Sequence, residues 1–265
     1  HCHDWQAGLI PVYLKTVYSK NKFYKHIKTV FTIHNLAYQG VFNKEKYPKL
    51  GLDWSWFKIE GLEFYGKVNL LKGGLIFSDS LSTVSLAYSK EIQTKEFGCG
   101  LEGLLHQRKK DLFGIINGLD YKVWDPAHDR YIYKKYSPLT LEDKYANKKL
   151  LQEERGLSVR ENVPLLGMVS RLVTQKGLDL VTQGLEELIE RSRVQMIVLG
   201  DGDAKYHNLL RDMVKKYPRN LSLCFDFNDP MAHKIYAAAD IFLMPSYYEP
   251  CGLGQMIALK YGTIP

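Results

Sequence analysis

Four short apolar runs, at 165–170, 195–199, 221–225 and 241–244, alternate with stretches of helical periodicity, and this alternation constrains the chain more than any other feature. Such runs read as buried strands, so the pattern predicts βαβ units around a parallel sheet. Leu178, Val181, Leu185 and Leu188 recur at spacings of three and four, which places one apolar stripe on a helix packed against that sheet. Asn228 or Asp229 can cap a further helix that runs through Tyr236 to Ala239. Pro230 fits its first position, where a missing N–H costs nothing. The second half therefore reads as a doubly wound α/β domain.

The first part is less regular but similar in kind, with strands expected at 29–34, 80–85 and 114–117 and an aromatic, lysine-rich insertion around 47–64. The stretch 131–157 is charged, rich in Tyr and Lys and weakly periodic, and is expected to connect two domains, with a helix near 144–155. The expected organisation is a Rossmann-like domain over 1–116, a hinge over 117–161 and a second Rossmann-like domain over 162–265. A length of 265 residues suits one and a half to two domains. The chain opens without Met on an apparent strand end and stops at Thr263-Ile264-Pro265 straight after a helix, so both ends read as cut.

Composition narrows the function classes. Hydrophobic residues make up 45% of the chain, but no apolar run approaches the ~20 residues that span a bilayer, so no membrane partner is expected. The net charge of +7 comes from lysines spread over many segments, not from one basic stripe, which argues against nucleic acid and for a mild attraction of anionic substrates. Cys2, Cys99, Cys224 and Cys251 stand singly, without a C-x-x-C pair, as in a reducing compartment. His1-Cys2-His3 resembles a metal-ligand run but lacks further ligands at suitable spacing, so neither metal nor cofactor is expected.

In open α/β sheets ligands sit beyond the carboxyl ends of the strands, which directs attention to the residues that follow each apolar run. After the first comes 170–177, with Arg171 and Lys176 five apart on a loop entering a helix. Two cations beside helix N–H groups suit a diphosphate, and a solvated loop with a surface ion pair fits the same residues equally well. Gly200-Asp201-Gly202 reads first as an ordinary tight turn. Neither G-x-G-x-x-G nor G-x-x-x-x-G-K-[ST] occurs, which argues against nicotinamide-dependent dehydrogenases and P-loop enzymes. In 245–255, Glu249 precedes a glycine-rich helix start, Cys251-Gly252-Leu253-Gly254, ahead of a helix over 256–261. A carboxylate to accept from sugar hydroxyls beside backbone donors for phosphate suits a sugar nucleotide; the rival is a purely structural loop. Cys251 has no His or Asp placed by sequence to activate it and reads as packing.

These segments also carry a resemblance. His3-Asp4-Trp5, the run from Thr32-Ile33-His34-Asn35 to Gly40, Thr83-Val84-Ser85, Ile116-Asn117-Gly118-Leu119-Asp120 with Trp124, Ser170-Arg171-Leu172 with Gln175-Lys176-Gly177, and Glu249-Pro250-Cys251-Gly252-Leu253 are similar to glycosyltransferase family 5, the bacterial glycogen synthases and plant starch synthases. They run in family order across essentially the whole chain. The resemblance implies a GT-B fold, two Rossmann-like domains facing a cleft, and transfer of glucose from ADP-glucose to the non-reducing end of an α-1,4-glucan with retention of configuration. It implies that Arg171 and Lys176 neutralise the diphosphate, that Glu249 holds glucose hydroxyls, and that the backbone from Cys251 through Gly252 and Leu253 to Gly254 meets the distal phosphate. His3 and Asn117 would touch the glucose, and Phe227 would face the base. Residue by residue, the rival readings are a strand-end histidine, a turn residue and a core aromatic. No protein nucleophile is identifiable, so a front-face route is implied, in which the leaving phosphate takes the acceptor's proton. The setting implied is the cytoplasm, or the plastid in a plant.

Two departures from the family pattern stand out. Gly254 occupies a position that often carries a hydroxyl residue, and the Lys-Thr-Gly-Gly-Leu and later Thr-Gly-Gly-Leu segments of the family have no counterpart in the sequence. Two alternatives stay open at this point: another GT-B sugar transferase or a phosphorylase, and a non-catalytic glucan-binding module.

Overall fold

The structure, a computed structural model, describes residues 1–226 and 228–265. The chain forms two compact units, His1–Asn117 and Gly118–Pro265.

The first unit contains, in chain order, β1 (Cys2–His3), α1 (Leu9–Lys15), β2 (Val30–Ile33), β3 (Val41–Asn43), β4 (Glu63–Phe64), β5 (Lys67–Asn69), α2 (Leu70–Phe77), β6 (Ser80–Thr83), α3 (Leu86–Glu91), α4 (Glu102–Gln107) and β7 (Leu112–Gly114). Its main sheet is parallel, in the order β1-β2-β6-β7. The aromatic insertion makes a separate antiparallel sheet, β3-β5-β4, around the buried Tyr47, Leu62 and Val68.

One strand expectation needs correction. The strand placed at 114–117 runs instead over Leu112–Gly114. Its last ladder bond is from the Ile115 N–H to the Thr83 carbonyl, 2.8 Å. Beyond Thr83 the partner strand has ended, because Ser85 caps α3 by accepting from the Tyr88 N–H at 3.0 Å. Ile115 and Ile116 therefore have no strand to pair with and are 65% and 61% exposed.

Asp79 ties this unit together and sets a test of its acid stability. Its carboxylate accepts from Lys15 Nζ (2.9 Å), the Thr29 N–H (2.8 Å) and the Thr29 hydroxyl (3.1 Å). Burial alone would raise its pKa, but these bonds outweigh burial and pull it down to about 2. A carboxyl held below its unfolded value stabilises the fold above the ordinary carboxylate range and loses that contribution as pH falls through the folded value. About 2 kcal/mol should therefore disappear between roughly pH 5 and pH 2. Urea unfolding of Asp79→Asn across this range should show that part of the acid slope removed.

The second unit contains α5 (Lys144–Glu154), β8 (Leu165–Val169), α6 (Leu178–Ser192), β9 (Gln195–Leu199), α7 (Ala204–Lys216), β10 (Leu221–Cys224), α8 (Asp229–Ala238), β11 (Ile241–Phe242) and α9 (Leu253–Lys260). Its sheet is parallel, in the order β10-β9-β8-β11. On α6 the apolar stripe is Leu178, Val181, Leu185 and Ile189; Leu188 is 40% exposed. A period of 3.6 carries a stripe at 178, 181 and 185 on to 189, so Leu188 turns outward. Asn228 is the cap of α8, accepting from the Met231 N–H at 3.0 Å, which makes Pro230 the second helical residue and not the first.

The stretch expected as a connection is built into this second unit. Ile132, Tyr136, Leu151 and Leu157 are buried in one core with Ile235, Tyr236, Ile257 and Tyr261, and Leu119 and Trp124 pack on it.

Candidate functional site

The strand order decides where a ligand can enter the second unit. From β8 the chain proceeds outward through β9 to β10, then crosses back to add β11 on the other side of β8. Connections leaving β8 and β11 at their carboxyl ends thus diverge, which opens a crevice at that end of the sheet. The loops that follow these strands hold the sequence-predicted residues, and they are bound to each other. The Tyr247 N–H donates to the Gln175 carbonyl at 3.0 Å, and the Tyr247 hydroxyl donates to Asp179 Oδ2 at 2.6 Å. Gly177 has φ +70°, and a Cβ there would lie 2.1 Å from the Pro245 carbonyl oxygen, so the two loops meet this closely only at glycine.

This contact brings Lys176 and Glu249, 73 residues apart, into a direct ion pair between Nζ and Oε1. Their side chains are 19% and 20% exposed. A cation and a carboxylate side by side at a strand-end crevice present one group suited to phosphate and one suited to hydroxyls. Next along the chain, Cys251 is half-buried with a free thiol, Gly252 is the N-cap of α9 in the left-handed region (φ +80°), and Leu253 is 45% exposed at the first helical position. The orphan N–H groups of this first turn are the backbone donors of the segment. Gly254 lies within it, and a Cβ there would come 3.0 Å from Phe242 Cε1, so the missing hydroxyl residue coincides with a tight seat of α9 on β11.

Arg171 occupies different ground. It lines a cavity of about 550 Å³ at the carboxyl ends of β8 and β9, with Ser170, Gly200, Asp201, Asp226 and Asp229; neither Lys176 nor Glu249 lines this cavity. The loops after β8 and β9 are laced together by Leu172 N–H to Asp201 O (2.8 Å) and Asp203 N–H to Leu172 O (2.9 Å). The segment 200–202, expected as a tight turn, instead continues extended to a parallel bridge between Gly202 and Leu172, and it forms a wall of the cavity. Asp201, between two glycines, and Asp226, between two phenylalanines, did not stand out in the sequence as site residues, because a lone aspartate carries no signal until the loops are assembled. Phe227 lies outside the described residues.

In the first unit, His3 ends β1 and its Nδ1 lies 3.0 Å from Nε2 of His34, which follows β2. Asp4 sits at φ +55° and is fixed there by its N–H to the Thr32 carbonyl (3.0 Å) and by Oδ1 accepting from the His34 N–H (2.8 Å). A non-glycine residue in this region costs about 1–3 kcal/mol, and such strain gathers at sites. The rigid turn sets both imidazoles at the carboxyl end of the parallel sheet. His34 was visible only as part of the Thr32-Ile33-His34 run. Asn117, half-buried, follows β7 at the end of the unit. Among the described residues no group of three or more His, Cys, Asp or Glu could hold a metal ion.

Residues 1–107 match the family described as the starch synthase catalytic domain, and residues 152–265 match glycosyl transferases group 1. The chain is 52% identical over all its 265 residues to glycogen synthases of Pseudothermotoga lettingae and Geotalea uraniireducens, in each case over 54% of the relative. The catalytic domain of starch synthase IV from Arabidopsis thaliana, solved bound to ADP and acarbose, superposes with a TM-score of 0.92 at 33% identity over 100% of this chain and 55% of that one. Along its whole length the chain is similar to glycogen and starch synthases. Its fold class is α/β, of the GT-B type. A sucrose-phosphate synthase from Thermosynechococcus elongatus, at 15% identity and a TM-score of 0.57, shares the fold alone. The chain spans about half the length of the curated relatives it matches.

Proposed function

We propose that this chain carries the donor site of a retaining glucosyltransferase that moves glucose from ADP-glucose to the non-reducing end of an α-1,4-glucan. The observation that carries this reading is the Lys176–Glu249 pair at the strand-end crevice of the second unit. In the proposed reaction Lys176 exchanges Glu249 for the donor diphosphate and, with Arg171, stabilises the charge that develops on the leaving nucleotide. Glu249 is released to accept hydrogen bonds from glucose hydroxyls. The segment from Cys251 to Gly254, which leads into α9, supplies N–H donors to the distal phosphate. His3 and Asn117 are assigned to the sugar, and the leaving phosphate takes the proton of the acceptor hydroxyl as the new glycosidic bond forms. The glycogen synthase relatives and the ADP and acarbose bound to the starch synthase support the donor and acceptor named. A cytoplasmic setting is part of the proposal, supported by the bacterial relatives and the four free cysteines.

Calorimetric titration with ADP tests the donor site. Arg171→Ala and Lys176→Ala should each weaken ADP by about tenfold to a hundredfold, the cost of one charge-assisted hydrogen bond. ADP affinity unchanged in both variants would overturn the assignment.

A further inference from the structure

The cavity beside Arg171 has an uneven chemistry. Its floor is apolar, from Val169, Leu199 and Ala232, while its polar side chains are dominated by the carboxylates of Asp201, Asp226 and Asp229. Ionised carboxylates accept hydrogen bonds and donate none. The neutral side-chain donors of the lining are partly engaged. The Ser170 hydroxyl donates to the Arg171 carbonyl at 3.0 Å, and the Asn228 amide uses Oδ1 to cap α8 and turns its NH2 toward Asp226 Oδ2 at 3.3 Å. Among the described residues Arg171 is the one cation of the lining.

Asp201 is held in its place. Its Oδ1 accepts from the Gly202 N–H at 2.8 Å and faces His207 Nε2 at 3.0 Å, and the His207 ring stacks on Phe225 with centroids 4.3 Å apart. A carboxylate fixed at a cavity wall costs little further entropy on binding a ligand. A planar ligand that fills an apolar slot rimmed mainly by carboxylates gains most by bringing its own donors.

We infer that Asp201 and Asp226 set nucleobase choice, selecting a base with an exocyclic amine over one that presents a carbonyl oxygen at the same edge. This rests on the cavity's being the place where the donor's nucleoside sits. An adenine amine gives two N–H groups to the rim, whereas the ring carbonyl of hypoxanthine or uracil sets a lone pair against a carboxylate. The rim also accepts from ribose hydroxyls, which all these nucleotides share and which therefore do not discriminate. Base choice follows from the rim and strength of binding from the cations, two separable properties.

Inosine diphosphate is the sharp probe, because its base has a carbonyl where ADP has the amine. Calorimetry on the chain should find ADP bound about tenfold to a hundredfold more tightly than inosine diphosphate, with UDP weaker than ADP as well. In the double variant Asp201→Asn, Asp226→Asn, whose amides keep the size and add donors, inosine diphosphate should bind more tightly than it does to the parent, and the preference should shrink to under about threefold. A gain in affinity cannot come from a misfolded variant. If the parent binds inosine diphosphate as well as ADP, or if the double variant keeps the parent's preference, the inference fails while the donor site stands. If none of the three nucleotides binds, the donor-site reading fails and the inference with it.

Discussion

Replacing Asp129 with alanine is expected to destabilise the second unit by about 3–5 kcal/mol, more than any other single change considered, because it strips the partner from a buried polar cluster. Asp129 and His233 are 5% and 2% exposed, and Asp129 Oδ2 meets His233 Nδ1 at 2.6 Å and accepts from the Tyr261 hydroxyl at 2.5 Å. An ionised carboxylate only accepts, so His233 donates from Nδ1. Trp124 covers the ring, stacked at 4.0 Å and 10°. Burial would raise the Asp129 pKa, yet the bonds from His233, Tyr261 and the Tyr131 N–H outweigh it and hold the carboxyl below its ordinary value. Its contribution is thus present above the ordinary carboxylate range and is lost as pH falls below it. The cluster joins the 118–136 stretch to α8 and to Tyr261 just past α9, so its loss should loosen the whole edge of the core. Calorimetric melting of Asp129→Ala should show the transition of this unit lowered by roughly 10 °C, and Tyr261→Phe, which removes one donor and no charge, by much less.

That cluster was invisible in the sequence, and the reason is physical. Its members are 104 and 132 residues apart, and a histidine or aspartate gives no periodic signal that marks it as buried. Strands β8, β9 and β10 were legible because burial on both faces writes a continuous apolar run. The excursion β3-β5-β4 was not, since two- and three-residue strands are too short to carry an alternation. Helix α7 was expected only as one of the helical stretches between the apolar runs, with no stripe to fix its bounds, because only Tyr206 and Leu210 of its thirteen residues are buried. The site divided along the same line. Arg171, Lys176 and Glu249 were legible as motif residues at strand ends, but the Lys176–Glu249 pair and the acidic rim of the cavity exist only once loops from different strands are laid together.

That assembly sets the second large effect. Lys176 and Glu249 compensate each other, so removing either leaves the other charge unpaired in a crevice where both are about four-fifths buried. If the proposed reaction is the one performed, the lysine cation acts mainly on charge that grows as the glucose–phosphate bond breaks, and such groups are worth about a hundredfold to a thousandfold in rate. Lys176→Ala should therefore lower kcat for transfer of labelled glucose from ADP-glucose to glycogen by about that factor, with a smaller change in KM. Glu249→Gln keeps an acceptor oxygen for the sugar but loses the charge that balances a cationic anomeric centre, so it too should lower kcat while leaving ADP affinity close to the parent's. The two losses should not add. With Lys176 already gone, the unpaired carboxylate repels the diphosphate, and removing its charge should restore part of the ADP affinity in the double variant Lys176→Ala, Glu249→Gln. A double variant as weak toward ADP as the product of the two single effects would mean that the ion pair plays no part in holding the donor.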